Sequence, residues 1–275
     1  MTAESSNNLF NRIAELNRSG APFALATVVH AEDSTPRSTG ARMIVHPDGT
    51  TEGTVGGGAL EKKVSDDALR LLGEGKSEPI EYDLGKGQEG VQTGMICGGR
   101  VQVLIETFQI GMKLFIFGAG HIGKRLAELA NSVGIAYWVI DNREAYACDE
   151  LFPGAAGVVH AEFEESFSKL PIDEKSYIVI VTYGHRYDGT CLQGALKTDA
   201  RYIGMIGSRR KVKTLLDAAA QEGLDVDDDR IYAPVGLQLG DSSPEEIGIS
   251  IIAEILKLKS GGSGEHMRNT LGKNG

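Results

Sequence analysis

The chain has 275 residues, 41 % of them hydrophobic, and a formal net charge of −10. At roughly 100–200 residues per domain this length predicts two domains with real cores, and the acidic balance excludes a general nucleic-acid binder, which needs clustered Lys and Arg against phosphate. Three cysteines, Cys97, Cys148 and Cys191, with no C-x-x-C pair exclude a disulfide framework and a cysteine-rich zinc site.

The first residues carry neither a basic start nor an apolar stretch, so no signal peptide is expected. No segment approaches the ~18 apolar residues of a membrane span. A reducing cytoplasm is the expected location. Residues 5–18 predict a short amphipathic helix with Leu9, Ile13 and Leu16 on one face. Residues 23–29 read as a buried strand, 32–40 as a polar loop and 41–46 as a second strand. His46-Pro-Asp-Gly49 signals a hairpin turn. After Gly53-Thr-Val-Gly-Gly-Gly58, the spacing of Leu60, Val64, Ala68, Leu71 and Leu72 predicts a helix. Residues 80–84 and 101–105 alternate like strands around a glycine-rich loop, Gly85 to Gly99, that holds Cys97. Residues 1–110 are expected to form an α+β domain.

Near Gly111 the pattern changes to strand–helix alternation. Strands are expected at 113–117, 136–140, 177–182 and 201–205, and helices at 121–133, 188–197 and 209–222. That alternation predicts a parallel sheet covered on both faces. The last helix opens with a capping signature: Ser243 as cap, Pro244 at the first helical position and Glu246 completing the box. Ile247, Ile251, Ile255 and Leu258 form its apolar stripe. The expected fold class is α/β, a Rossmann-like doubly wound parallel sheet over 111–259 with the smaller α+β domain before it. The Gly/Ser-rich residues 260–275 are expected to be a disordered tail.

Five groups of residues carry candidate chemistry. The first is Gly118-Ala-Gly-His-Ile-Gly123, set between a predicted strand and a predicted helix, with Asp141 about twenty residues on. That context makes G-x-G-x-x-G a phosphate cradle: Gly118 for the tight turn, Gly120 for close approach to the backbone, Gly123 for helix–strand packing, and the helix start for the anion. Asp141 is suited to a ribose hydroxyl pair, and Arg143 can reverse that preference toward a 2′-phosphate. His121 either contacts a ligand oxygen or caps the helix. Ile122 completes the loop.

The second group joins Arg37 and Arg42 to the triple glycine Gly56-Gly57-Gly58. It reads as an anion nest with charge support, or as a flexible loop with surface arginines. The third is Cys97, flanked by glycines, which reads as an accessible thiolate able to hold a soft metal, or as a small buried filler. The fourth is His185 with Asp188, after a predicted strand, hence at the carboxyl edge where open sheets bind ligands. These two can serve as acid, base or ligand, or Asp188 can simply cap the next helix. The fifth is a second glycine-to-helix junction, Gly204 to Lys211, where Ser208 and Arg209 belong to a possible phosphate grip or to a solvated helix start.

Taken in order, Thr35-Pro-Arg37, Gly40-Ala-Arg-Met43, Gly53 to Glu61, Cys97-Gly-Gly99, Gly118 to Gly123, Gly184-His185 with Asp188, Tyr202 to Lys211, and Pro234 to Gly240 with Pro244-Glu-Glu-Ile247 form one series. The series resembles the xanthine dehydrogenase accessory factors, the XdhC/CoxI family, over nearly all of residues 10–258. Tyr183 stands where that family usually has Arg before Gly-His, and Gln238 stands where it often has an acid after Gly-Leu. The resemblance implies a small N-terminal domain joined to a Rossmann domain. It implies a maturation factor that binds molybdenum cofactor (molybdopterin), supports its sulfuration and inserts it into an apo xanthine dehydrogenase-type enzyme; the lack of an obvious catalytic triad fits a carrier without turnover. A cysteine desulfurase would be a further partner, and a homodimer the expected assembly. Cys97 and the N-terminal glycine loops would then handle the cofactor, with Cys97 toward the metal. The competing reading is an NAD(P)-dependent oxidoreductase, favoured by the fingerprint and Asp141.

Overall fold

The computed structural model describes residues 3–31, 38–84, 99–108, 111–183, 186–240 and 243–269. The chain divides into two compact units, Met1–Ile110 and Gly111–Gly275.

The first unit is built on an antiparallel sheet. Its strands are β1 (Phe23–Ala31), β2 (Arg42–Val45), β3 (Thr51–Gly53), β4 (Glu78–Asp83) and β5 (Arg100–Phe108), ordered β3-β2-β1-β5-β4. The alternation of β1 sets both faces. Ala24, Ala26 and Val28 pack with Leu60, Val64, Ala68 and Leu71 of helix α2 (Gly58–Glu74). Phe23 and Leu25 pack with Leu9 and Leu16 of helix α1 (Ala3–Arg18). The turn expected at His46 to Gly49 joins β2 to β3, closed by the His46 N–H donating to Thr50 O at 2.9 Å.

The second unit holds a six-stranded sheet. Its strands are β6 (Lys113–Phe117), β7 (Ala136–Asp141), β8 (Gly157–His160), β9 (Ser176–Ile180), β10 (Tyr202–Met205) and β11 (Ile231–Tyr232). Every pairing is parallel, in the order β11-β10-β9-β6-β7-β8. This is the doubly wound order in which the chain runs outward to β8, then crosses back to β9. The strands are apolar on both sides, as a sheet covered on both faces requires. On β6, Leu114 and Ile116 face Leu126, Ala127 and Ala130 of helix α3 (His121–Ser132) and Ile251, Ile252 and Ile255 of helix α7 (Pro244–Ser260). Phe115 and Phe117 face the opposite layer, with Phe163 of helix α4 (Phe163–Ser166), Leu192 of helix α5 (Asp188–Leu196) and Val212 of helix α6 (Arg209–Gln221). Trp138, the chain's single tryptophan, lies on β7 in this second layer, stacked on Phe115 at 4.9 Å between ring centroids.

Helix α7 carries the full capping box read from the sequence. Ser243 Oγ accepts from the Glu246 N–H, and Glu246 Oε2 accepts from the Ser243 N–H. Beyond its left-handed cap at Gly261, residues Met267–Asn269 form a 3-10 turn. Residues 270–275 of the expected tail lie outside the described residues.

Candidate phosphate and ligand site at the carboxyl edge of the parallel sheet

The topological reversal lies between β6 and β9, and there the crevice of an open parallel sheet forms. Four segments end at this edge: Gly118–Gly120 after β6, Asp141–Arg143 after β7, Thr182–Tyr183 after β9, and Ile206–Ser208 after β10.

Each fingerprint glycine has a separate physical reason. Gly118 has φ +117°, and a Cβ placed there would meet Val181 O at 2.4 Å. A Cβ on Gly123 would lie 1.9 Å from Gly118 O, so the first turn of α3 sits directly on the loop. Gly120 differs: it adopts an ordinary extended conformation, and its missing Cβ faces open space. Gly120 is the N-cap of α3 and offers no side-chain cap. The first turn of a helix has N–H groups with no acceptor inside the helix. Here they meet the positive end of the helix dipole, with no acidic residue in the first turn. His121 is exposed at the first helical position, and Ile122 packs partly against the core. These features fit a phosphate group: a backbone cradle that a side chain at Gly120 would fill.

Asp141 ends β7 and is fully buried. Its Oδ2 accepts from the Ala119 N–H at 2.8 Å and from Arg143 Nη2 at 2.8 Å. Its Oδ1 accepts from the Arg143 N–H at 3.0 Å and Arg143 Nε at 2.8 Å. Burial pushes this carboxyl upward, but the hydrogen bonds from Arg143 and Ala119 outweigh it and hold it below the usual carboxylate range. Arg143 is raised in turn, chiefly by its bond to Asp141. Its guanidinium lies between two rings, 3.8 Å from the centroid of Tyr146 and 3.9 Å from that of Tyr183. Tyr183 Oη donates to Asn142 Oδ1 at 3.2 Å.

Asp188 is also fully buried, at the first turn of α5. It accepts from Thr182 Oγ1 and pairs with Lys211 Nζ. Ser208 caps α6 by accepting from the Lys211 N–H at 3.3 Å. A concavity of about 300 Å³ is lined by Ser208, Arg210, Lys211, Thr214 and Leu215. Arg209 is exposed at the start of α6. Arg143, Asp141, Asp188 and Ser208 thus sit at one edge, bonded to partners that the sequence does not reveal. Lys211 and Thr182 as partners of Asp188, and Tyr183 as a wall for Arg143, are separated from those residues by loops or whole elements. The three basic residues 209–211 were the available signal for Lys211.

In the first unit, Gly57 is the N-cap of α2 and has φ +86°. Its N–H donates to Glu61 Oε1 at 2.9 Å, and Thr54 Oγ1 donates to the same oxygen. The Gly56 N–H turns to Thr54 Oγ1 at 3.4 Å. Gly58 begins the helix. Arg42 lies on β2 with its guanidinium 5.2 Å from the Phe10 ring centroid. The two leading amides of the glycine run are therefore engaged by the chain's own side chains. Arg37, Cys97 and His185 lie outside the described residues. Among the described residues no cluster of three or more His, Cys, Asp or Glu could hold a metal ion, and no helix is long and apolar enough to cross a membrane.

Residues 114–255 match the family model described as the XdhC Rossmann domain, and residues 16–83 match the model of the XdhC and CoxI family. The chain is 34 % identical over 260 residues to YqeB of Escherichia coli K12, covering 94 % of this chain and 47 % of that protein. It is 31 % identical over 157 residues to a probable xanthine dehydrogenase subunit of Bacillus subtilis 168, covering 57 % of this chain and 46 % of that protein. The chain thus spans about half the length of each of these two relatives. It is 21 % identical over 292 residues to the molybdenum cofactor insertion chaperone PaoD of E. coli K12, covering 88 % of this chain and 85 % of that protein. With one model spanning more than half of its length and the other lying ahead of it in the first unit, the chain belongs to the XdhC and CoxI family.

Proposed function

We propose that this chain is a maturation factor for a molybdenum hydroxylase. It binds molybdenum cofactor, assists its sulfuration and inserts it into a xanthine dehydrogenase-type apo-enzyme. The observation that carries the reading is the start of α3: an uncapped helix end behind Gly120, open to close approach, in a member of this family. The similarity to the insertion chaperone PaoD and to a probable xanthine dehydrogenase subunit supports the choice of cargo and client.

In this reading the amides of Gly120 to Gly123 at the start of α3 hold the cofactor's phosphate, with His121 at its edge, while the Gly118 and Ala119 N–H groups stay bonded to Ile140 O and Asp141. Ser208 and Arg209 supply a second grip through the cationic start of α6. Asp188 holds Lys211 in position beside that grip. Arg37, Arg42, the Gly56–Gly58 turn and the Cys97 thiolate belong to a separate cofactor-handling surface of the first unit, where the Gly56 and Gly57 amides stay with Thr54 and Glu61. The bound cofactor supplies the molybdenum centre that the client enzyme needs. The chain's own residues bind and orient it without turnover. A cysteine desulfurase delivers the sulfur, and the protein works in the cytoplasm as a homodimer.

The test is anaerobic titration of the full-length protein with molybdenum cofactor, read by pterin fluorescence after oxidation. Saturable binding is expected. Gly120→Val is expected to weaken it at least ~tenfold with the far-ultraviolet dichroism spectrum unchanged. Cys97→Ser is expected to impair transfer to the apo-enzyme while phosphate-end binding persists. Absence of saturable binding by the wild-type protein overturns the reading.

A further inference from the structure

What can be attached to a phosphate at the start of α3 is decided at the end of β7, and the inference rests on reading that helix start as a phosphate site. In a sheet of this order a dinucleotide lays its adenosine ribose over the end of the second strand of the unit. An acidic side chain there accepts the 2′- and 3′-hydroxyls. In this chain that strand is β7 and that side chain is Asp141.

A carboxylate offers about four lone-pair positions, and Asp141 receives four N–H groups, one from Ala119 and three from Arg143. The side chain has no exposed surface. Nor is Arg143 loosely placed. Tyr146 covers one ring contact and Tyr183 the other. Tyr183 follows β9, whereas Arg143 follows β7, and these two strands flank β6 in the sheet. The Arg143–Tyr183 stack therefore spans the carboxyl end of β6, tied again by Tyr183 Oη donating to Asn142. A ribose diol would have to displace a bidentate guanidinium held between two rings. A 2′-phosphate would arrive beside a carboxylate that already engages the arginine's charge.

We propose that Arg143, locked onto Asp141 and stacked between Tyr146 and Tyr183, is a specificity-determining residue that closes the ribose subsite. The crevice refuses nicotinamide and flavin adenine dinucleotides. Its ligand is a phosphorylated group that places no adenosine over β7. This separates the family member from the oxidoreductases whose glycine fingerprint it shares.

The test is calorimetric titration of the full-length protein with NADH, NADPH and ADP-ribose as probes. For the wild type no saturable binding is expected up to about 1 mM. Arg143→Ala and Arg143→Lys are expected to gain NADH or ADP-ribose binding at least ~tenfold tighter. Arg143→Lys keeps a cation beside the buried carboxylate but cannot form the fork, so it serves where the alanine variant folds poorly. Wild-type binding of any probe with a Kd below about 100 μM overturns the proposal. So does a folded variant of either kind that gains nothing. Failure of the molybdenum-cofactor titration would remove the carrier reading without altering the outcome here, because the two titrations use different probes.

Discussion

At Gly118 and Gly123 a methyl group has no room, since it would lie 2.4 Å from Val181 O and 1.9 Å from Gly118 O. Gly118→Ala also forces a side chain into φ +117°. Each substitution is expected to cost at least about 1–3 kcal/mol in urea unfolding. Gly120→Ala meets nothing within 4 Å and has an ordinary φ. It is expected to change stability by no more than about 1 kcal/mol, because the reduced freedom of the unfolded chain is opposed by the preference for glycine over alanine at an N-cap, while cofactor binding weakens. One fingerprint therefore separates into two structural glycines and one ligand-facing glycine. The Asp141–Arg143 pair makes a second prediction. A carboxyl depressed on folding contributes stability above its unfolded pKa of about 3.9, and that contribution is lost as pH falls through the folded value. Arg143→Ala is expected to cost on the order of 3 kcal/mol at pH 7, because it strips a buried carboxylate of its counter-ion. The difference from wild type should shrink in urea titrations near pH 3, where Asp141 of the variant is protonated. The three glycines, Asp141 and Arg143 were all legible in the sequence as residues. Their pairing was not, because the choice between a carboxylate facing a ligand and one facing its own loop is made by side-chain rotamers two residues apart.

Helices α6 and α7 both start at a serine cap but carry opposite charge in their first turns. Helix α7 has a serine cap, a proline at its first position and two acids in its first turn. Ser243→Ala is expected to lower stability by about 1 kcal/mol, measurable as a drop in the thermal midpoint. Helix α6 opens with Arg209, Arg210 and Lys211, placing cations at the positive end of the dipole. Arg210→Glu is expected to raise stability by about 0.3–1 kcal/mol while reducing affinity for inorganic pyrophosphate. No change in pyrophosphate affinity would assign those cations to solubility alone. Long periodic elements were legible from the sequence: β6, α3, β7, α5 and α6 lie within one or two residues of the expected ranges. Strand β3 was expected only as the far arm of the hairpin turn at His46 to Gly49, and β8 and β11 were not foreseen. They have three, four and two residues, too few to show a period, and they exist because neighbouring strands offer them a ladder. Strand β5 runs to Phe108, beyond the expected 105, because β1 supplies pairing as far as Phe23.

Each of the two units encloses its own apolar clusters. Those of the first draw on residues between Leu9 and Phe108, and those of the second on residues between Met112 and Leu258. Domains with separate cores can fold separately. A fragment of residues 111–275 is therefore expected to unfold cooperatively in calorimetry with a midpoint close to that of the matching transition in the full chain. A fragment that stays unfolded would show that the second unit borrows stability from the first. The solitary indole at position 138 gives this experiment an internal optical label. It sits three residues ahead of Asp141 on the same strand, inside the parallel-sheet unit. Selectively excited emission therefore reports loss of that unit's packing and is blind to melting of the antiparallel one, while backbone dichroism senses both. Overlaid traces from the two signals would mark a single concerted transition, and staggered traces would date each unit's collapse without cutting the polypeptide.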